Sequence, residues 1–139
     1  VGRKAYYDMV ANGKLIKLSD YLSCVPTQLR TVVNKSINVD PTQRYQSALK
    51  MRRALERLSF SGHWTVDERG RHIGADARNT YRYEIADLLK NKFNVIAYRT
   101  NNKSGRETKI SAFTKKNLTN KEMRQIVDGF FRAVIRGET

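Results

Sequence analysis

Asp40-Pro41-Thr42-Gln43-Arg44-Tyr45-Gln46-Ser47-Ala48 lies between two amphipathic segments. Pro41 disfavours helical geometry in the residue before it, so a helix arriving from the N-terminal side must stop at Asp40. Pro26 opens that helix, at a position where its missing N–H costs little. Within it Leu29, Val32, Val33 and Ile37 follow the spacing of a buried stripe. Downstream, a helix is expected from about Ser47 to Leu58, with Ala48, Met51, Leu55 and Leu58 on one face and Lys50, Arg53 and Arg57 elsewhere. Further out, residues 3–12 predict another helix with Tyr6, Tyr7, Met9 and Val10 as apolar surface, stopping near Asn12-Gly13. Residues 14–24 read as an irregular connection anchored by Leu15, Ile16, Leu18, Tyr21 and Leu22.

Beyond these helices the pattern changes. Ser61-Gly62 and Arg69-Gly70 are turn signals, and the boundary between two modules, 1–60 and 61–139, is placed in the stretch Ser59–Gly74. The hydrophobic period then drops to two. Tyr81, Tyr83 and Ile85 alternate with Arg82 and Glu84; Phe93, Val95 and Ala97 with Asn94, Ile96 and Tyr98; Thr108, Ile110 and Ala112 with Lys109, Ser111 and Phe113. These are three strand candidates. Asn101-Asn102-Lys103-Ser104-Gly105 is a hairpin loop between the last two. Thr119 and Glu122 form a capping box for a final helix, with Leu118 and Met123 placed as a hydrophobic staple. Met123, Ile126, Val127, Phe130 and Val134 give that helix its apolar stripe. The fold class is therefore α+β: three helices, then a β-β-β-α module built as a three-stranded antiparallel sheet with one helix across a face.

The 139 residues suit one domain or two small modules, and 40% hydrophobic content is too high for wholesale disorder. No apolar run approaches the roughly 18–20 residues that span a bilayer, so membrane insertion is not expected. Val1 follows neither an initiator Met nor a signal-peptide pattern, as expected of an excised or processed fragment. The single cysteine, Cys24, permits no internal disulfide, fits a cytoplasmic setting and reads as a small buried residue. Net charge is +14, split evenly: 11 basic against 4 acidic residues in 1–60, and 16 against 9 in 61–139. An even spread argues against a detachable basic tail and favours nucleic acid, anionic membrane surface or acidic protein as encounter partners.

Val25-Pro26, Leu29, Val32-Val33, Lys35, Asp40-Pro41, Arg44-Tyr45, Ser47-Ala48 and Met51-Arg52-Arg53-Ala54-Leu55 stand in an order that resembles the end of the C-lobe of bacterial Hanks-type (eukaryotic-like) Ser/Thr protein kinases. The resemblance covers roughly residues 1–58. It implies that the chain completes the substrate-side lobe of a parent kinase whose ATP- and Mg-dependent catalytic motifs lie upstream of residue 1. It also implies that Arg44 is a buried arginine paired with a glutamate of the activation segment. No such glutamate lies in this sequence, so an upstream kinase lobe or a partner would have to supply it. The plain alternative is a solvated arginine after a turn.

No G-x-G-x-x-G, His-Arg-Asp or Asp-Phe-Gly occurs, so phosphoryl transfer has no machinery within these residues. No cofactor or metal site is expected in the chain itself. His63 and His72 lack neighbouring cysteines and read as surface or packing residues, and Asp67-Glu68 as turn carboxylates. Trp64 reads as an anchor between the two modules, or less simply as a base-stacking platform.

The β-β-β-α module resembles small DNA-binding domains, including the integrase arm-binding type, whose sheet enters the major groove. Arg78, Arg82, Lys92, Arg99, Lys103, Arg106, Lys109, Lys115 and Lys116 could contact phosphates, and Tyr98 a partner. Alternation predicts Tyr83, Ile85, Phe93, Val95, Ile110 and Ala112 toward the helix. The opposite face then carries Ile96, Tyr98 and Phe113 among Arg82, Glu84 and Lys109, a mixed surface better suited to a protein than to phosphate. The expected function is thus a non-catalytic kinase segment carrying a docking or self-association module. A DNA- or RNA-binding module and a stand-alone interaction or homodimerisation domain are the rivals.

Overall fold

The computed structural model describes residues 2–12 and 21–139. The expected anchors Leu15, Ile16 and Leu18 lie outside the described residues. The chain divides into two compact units, residues 1–59 and 60–139.

The first unit is helical. α1 spans Arg3–Ala11, α2 Thr27–Ser36 and α3 Ala48–Glu56. Pro26 sits at the N-cap of α2 in extended geometry, and Asp40 closes the segment after it. The Asp40 carboxylate accepts from the Thr42 amide at 2.8 Å and the Thr42 hydroxyl at 2.7 Å, fixing a 3-10 turn at Pro41–Gln43. These two hydrogen bonds hold the Asp40 carboxyl below its usual range. The Ser47 hydroxyl accepts from the Lys50 amide and caps α3. Of the stripe on α2, Val32 alone is fully buried, and it is the one buried residue among the described residues of this unit.

The second unit corrects the expected three-stranded sheet. Six antiparallel strands are present: β1 Gly62–Val66, β2 His72–Asp76, β3 Asn79–Leu88, β4 Lys92–Asn101, β5 Glu107–Lys109 and β6 Lys115–Leu118. β1 to β4 form a meander, and both β5 and β6 pair with the far edge of β4. The segment read as a run of turns, Ser59–Gly74, contains β1 and the start of β2. Its glycines mark close approaches as well as turns. A Cβ on Gly62 would stand 2.7 Å from the Val134 carbonyl oxygen, and one on Gly74 would stand 2.9 Å from the Trp64 ring.

The third expected strand is shorter than its alternation implied. After Lys109 the chain enters a 3-10 turn at Ser111–Phe113 before resuming as β6. The turn swings Phe113 under the sheet, 5.1 Å from Phe130 between ring centroids, so Phe113 belongs to the helix side and not to the open face. Thr114 then takes over part of the ladder, its Oγ1 accepting from the Ala97 amide at 3.2 Å.

α4, Asn120–Arg136, crosses one face. The capping box is formed as read: the Glu122 carboxylate accepts from the Thr119 amide at 2.8 Å while the Glu122 amide donates to the Thr119 hydroxyl. Gly137 ends the helix in left-handed geometry, with φ 75°. The core joins Tyr81, Ala97, Phe130 and Val134, with Trp64, Tyr83, Ile110 and Phe113 packed around them. Phe131, Ala133 and Ile135 are also buried, which a single helical stripe does not predict. Phe131 is packed by Trp64, His72 and Tyr83 from β1, β2 and β3, and the chain leading into β1 meets the end of α4, where the Ser61 amide donates to the Ile135 carbonyl at 2.8 Å. Ile85, expected toward the helix, is 43% exposed because β3 runs on past the helix into a long hairpin.

Trp64 is anchored within the second unit. Its ring lies 4.7 Å from Phe131 and 5.3 Å from Phe130, and its Nε1 donates to the Phe131 carbonyl at 3.2 Å. His72 joins the same cluster, 5.1 Å from the Phe131 ring and with Nδ1 3.1 Å from the Tyr83 hydroxyl.

Candidate functional site

The two faces of the sheet treat their arginines differently, and strand alternation decides which arginine goes where. On the face away from α4, Arg82 stands in register with Tyr98, and Thr100 with Glu107. The Arg82 guanidinium donates in parallel to both oxygens of Glu107, Nε at 2.9 Å and Nη2 at 2.8 Å, and Nη1 pairs with Glu84. It also lies 3.9 Å over the Tyr98 ring, whose hydroxyl donates to Glu84 at 3.3 Å. Its hydrogen bonds to Glu107 and Glu84 raise the Arg82 pKa, and the bond from Arg82 lowers that of Glu107. Burial, then the charge of Glu84, raises that of Tyr98. Two carboxylates thus enclose one guanidinium, and with Lys109 opposite Tyr98 the centre of this face carries two positive and two negative charges.

The helix-side parity places Arg99 opposite Tyr81 and Thr108 opposite Arg99. Beyond the end of the aromatic core these positions, with Arg78 and Arg106, line a cleft of about 430 Å³. Asn79, Asn101 and Ser104 complete its wall. No carboxylate forms an ion pair with Arg78, Arg99 or Arg106 among the described residues.

Both loops that bring these arginines together are fixed by their own side chains. Asp76 accepts from the amides of Arg78 and Asn79, each at 2.7 Å, and from the Tyr81 hydroxyl at 2.5 Å. Burial pushes the Asp76 carboxyl up, but the bonds from Tyr81, Arg78 and Asn79 outweigh it and leave the carboxyl below its usual range. Asp76 is therefore engaged as the clamp of the β2–β3 turn. On the other side Asn101 Oδ1 accepts from the amides of Lys103 and Ser104, both at 3.0 Å, and Gly105 turns the chain back at φ 66°. The Asn102 amide donates to the Arg78 carbonyl at 2.9 Å and ties the two loops to each other.

The remaining residues singled out from sequence are dispersed. Lys103 is exposed in the β4–β5 loop, Lys109 faces the Arg82 side opposite Tyr98, Lys92 begins β4, and Lys115 and Lys116 are exposed on β6. Arg44 belongs to the first unit and is exposed, not buried. Its Nε donates to the Asn38 carbonyl at 2.6 Å and its Nη2 to the Val39 carbonyl at 3.4 Å. No carboxylate pairs with it among the described residues. Cys24 is half-buried, and burial raises its thiol pKa. Among the described residues no cluster of three His, Cys, Asp or Glu could hold a metal ion, and no helix is long and apolar enough to cross a membrane.

Sequence reading named Arg78, Arg99 and Arg106 only as members of a general basic set, and passed over Asn79, Asn101, Ser104 and Thr108 as wall residues. The available signal was parity: Arg99 and Thr108 fall on the opposite side of the pleat from Tyr98, Glu107 and Lys109. No protein-family model matches the chain, and no curated protein or solved structure matches it.

Proposed function

We propose that this chain is the non-catalytic C-terminal part of a Ser/Thr protein kinase, in which the helical unit completes the substrate-side lobe and the sheet unit docks a partner. The observation that supports this reading is the small core among the described residues of the helical unit. Around one buried valine it leaves Tyr7 64%, Leu22 59% and Leu49 52% exposed, with Tyr6, Val10 and Val39 close behind. Helices of this kind derive their stability from packing an apolar face, and these faces need a cover. The local elements support the same reading, since helix, 3-10 turn at Asp40-Pro41, Arg44 and capped helix follow in the order the kinase lobe requires. Arg44 has five donors and gives two of them to carbonyls, which leaves capacity for a carboxylate from the rest of such a lobe.

The balanced Arg82 face supports a protein partner for the sheet unit over a duplex, because Glu84 and Glu107 would repel phosphates brought to it. The test uses the natural polypeptide that contains these residues. Incubated with labelled ATP and Mg, it should transfer label to Ser or Thr of a generic protein substrate. Arg44→Ala should destabilise that polypeptide by about 3–5 kcal/mol, the usual cost of breaking a buried pair, and barely alter the 139-residue chain. A natural polypeptide that neither binds ATP nor transfers label sinks the proposal.

A further inference from the structure

We propose that the cleft between Arg78, Arg99 and Arg106 is a receptor for a phosphomonoester dianion, carried on a phosphorylated Ser or Thr of a protein segment. That the phosphoryl group comes from a protein rests on the kinase reading above; that the cleft takes such a group rests on its own chemistry.

The contrast with Arg82 comes first. Arg82 is enclosed by Glu84 and Glu107. The three arginines of the cleft form no ion pair among the described residues; exposed Arg69 and Arg124 form none either, but these three line one concavity. Like charges held together repel, and an anion placed among them removes that repulsion. A phosphomonoester brings a charge of about −1.5 to −2 and three strong acceptor oxygens, which guanidinium forks match in pairs. Ser104, Thr108 and Asn79 make the wall polar, but their own donors go to Asn101 Oδ1, the Arg99 carbonyl and Asp76, so the arginines carry the recognition.

Preorganisation is the second argument. The clamps at Asp76 and Asn101 fix both loops before any ligand arrives, so little ordering entropy is lost on binding. Shape is the third. One recess of about 430 Å³ holds a phosphorylated side chain with adjoining backbone, whereas a nucleic-acid strand needs a track of cations. Lys103, exposed in the β4–β5 loop, suits acidic residues flanking the phosphorylated one.

The test is fluorescence anisotropy of a labelled phosphoserine peptide with the 139-residue chain, beside its unphosphorylated twin and a single-stranded oligonucleotide of similar length. The phosphopeptide should bind at least tenfold more tightly than its twin, and millimolar inorganic phosphate should displace it. Arg106→Gln, at an exposed position, and Arg99→Gln should each weaken it about tenfold or more, in line with loss of a charge-assisted hydrogen bond. Arg99→Lys should recover only part of that loss, because it restores charge without the fork. Lys109→Gln, on the other face, should change nothing, and Trp64 fluorescence reports that each variant is folded. Equal binding of the two peptides, or phosphopeptide binding indifferent to Arg99 and Arg106, overturns the proposal. So does an oligonucleotide that uses these arginines while the phosphopeptide does not bind. An active parent kinase with no phosphopeptide binding removes the cleft's role alone; phosphopeptide binding without kinase activity removes the kinase reading alone.

Discussion

Gly74→Ala isolates the contact on which the second unit's packing turns. The new Cβ would stand 2.9 Å from Trp64 Cζ2 and 3.0 Å from Cε2 and Cη2. Ordinary carbon contacts lie near 3.5–4.0 Å, so the indole has to retreat by roughly 0.5–1 Å. It has little room to do so. Phe131 and Phe130 face it at 4.7 and 5.3 Å, Tyr83 at 6.4 Å, and its Nε1 is tied to the Phe131 carbonyl. Overpacking of this kind costs about 1–3 kcal/mol, and straining the Nε1 bond adds up to about 1 kcal/mol. Against that, alanine is favoured over glycine within a strand by roughly 0.5–1 kcal/mol. The clash wins, with a net loss of about 2 kcal/mol at the middle of these ranges, or a Tm lower by roughly 8–16 °C for a unit of this size. Urea unfolding followed through Trp64, the only tryptophan, and by far-UV circular dichroism measures it. The control is the same substitution in a Trp64→Phe background, where the benzo ring that meets the Cβ is gone. There Gly74→Ala should cost at least about 1 kcal/mol less, a coupling typical of residues in direct contact. An identical loss in both backgrounds, or a stabilised single variant, refutes the reasoning.

Two further outcomes follow from α4 and the long hairpin. Phe130→Ala removes a side chain 1% exposed that meets Trp64, Tyr81 and Phe113. It should cost about 3–5 kcal/mol in urea denaturation, whereas Leu89→Ser, at a hairpin tip 91% exposed, should stay within about 0.5 kcal/mol. The Glu122 carboxyl is held below its usual range by the Thr119 amide first and the Thr119 hydroxyl second. A depressed folded-state pKa means that its contribution is complete above the unfolded value, near 4.3, and fades as pH falls through the lower folded value. Glu122→Gln should flatten that part of the stability profile between about pH 5 and pH 3, and a melt series across that range checks it.

The helices were legible because their signals are local. Pro26, Asp40-Pro41, Ser47 and the Thr119–Glu122 box each act within a few residues, and each stands where its chemistry places it. β3 and β4 showed themselves by alternation over Tyr81–Ile85 and Phe93–Tyr98, and each strand proved longer, at ten residues. β1 and β2 did not, because Ser61-Gly62 and Arg69-Gly70 read as turns across the whole stretch, whereas Gly62 and Gly74 lie within strands and let Val134 and Trp64 approach. That approach is visible only once α4 and β1 are known to cross. The third strand misled for a related reason: Thr108, Ile110 and Ala112 alternate with Lys109, Ser111 and Phe113 in sequence, but a 3-10 turn brings Phe113 against Phe130, far along the chain. Charge was legible in amount and not in availability. The Arg82–Glu107 pair joins residues 25 apart, beyond any local pattern.

Availability of charge is therefore a property of register. Tyr98 and Arg99 are neighbours in sequence, yet one lies under the Arg82 guanidinium and the other lines the cleft. Slipping β4 by one residue against β3 would carry Arg99 among Glu84 and Glu107 and close the difference between the two faces. What forbids the slip is the core itself. Ala97 and Val95 are almost wholly enclosed beside Tyr81 and Phe130, and the same slip would turn them to water. Burial of two small apolar side chains on β4 thus decides which arginines of a strongly basic chain remain free to meet an anion.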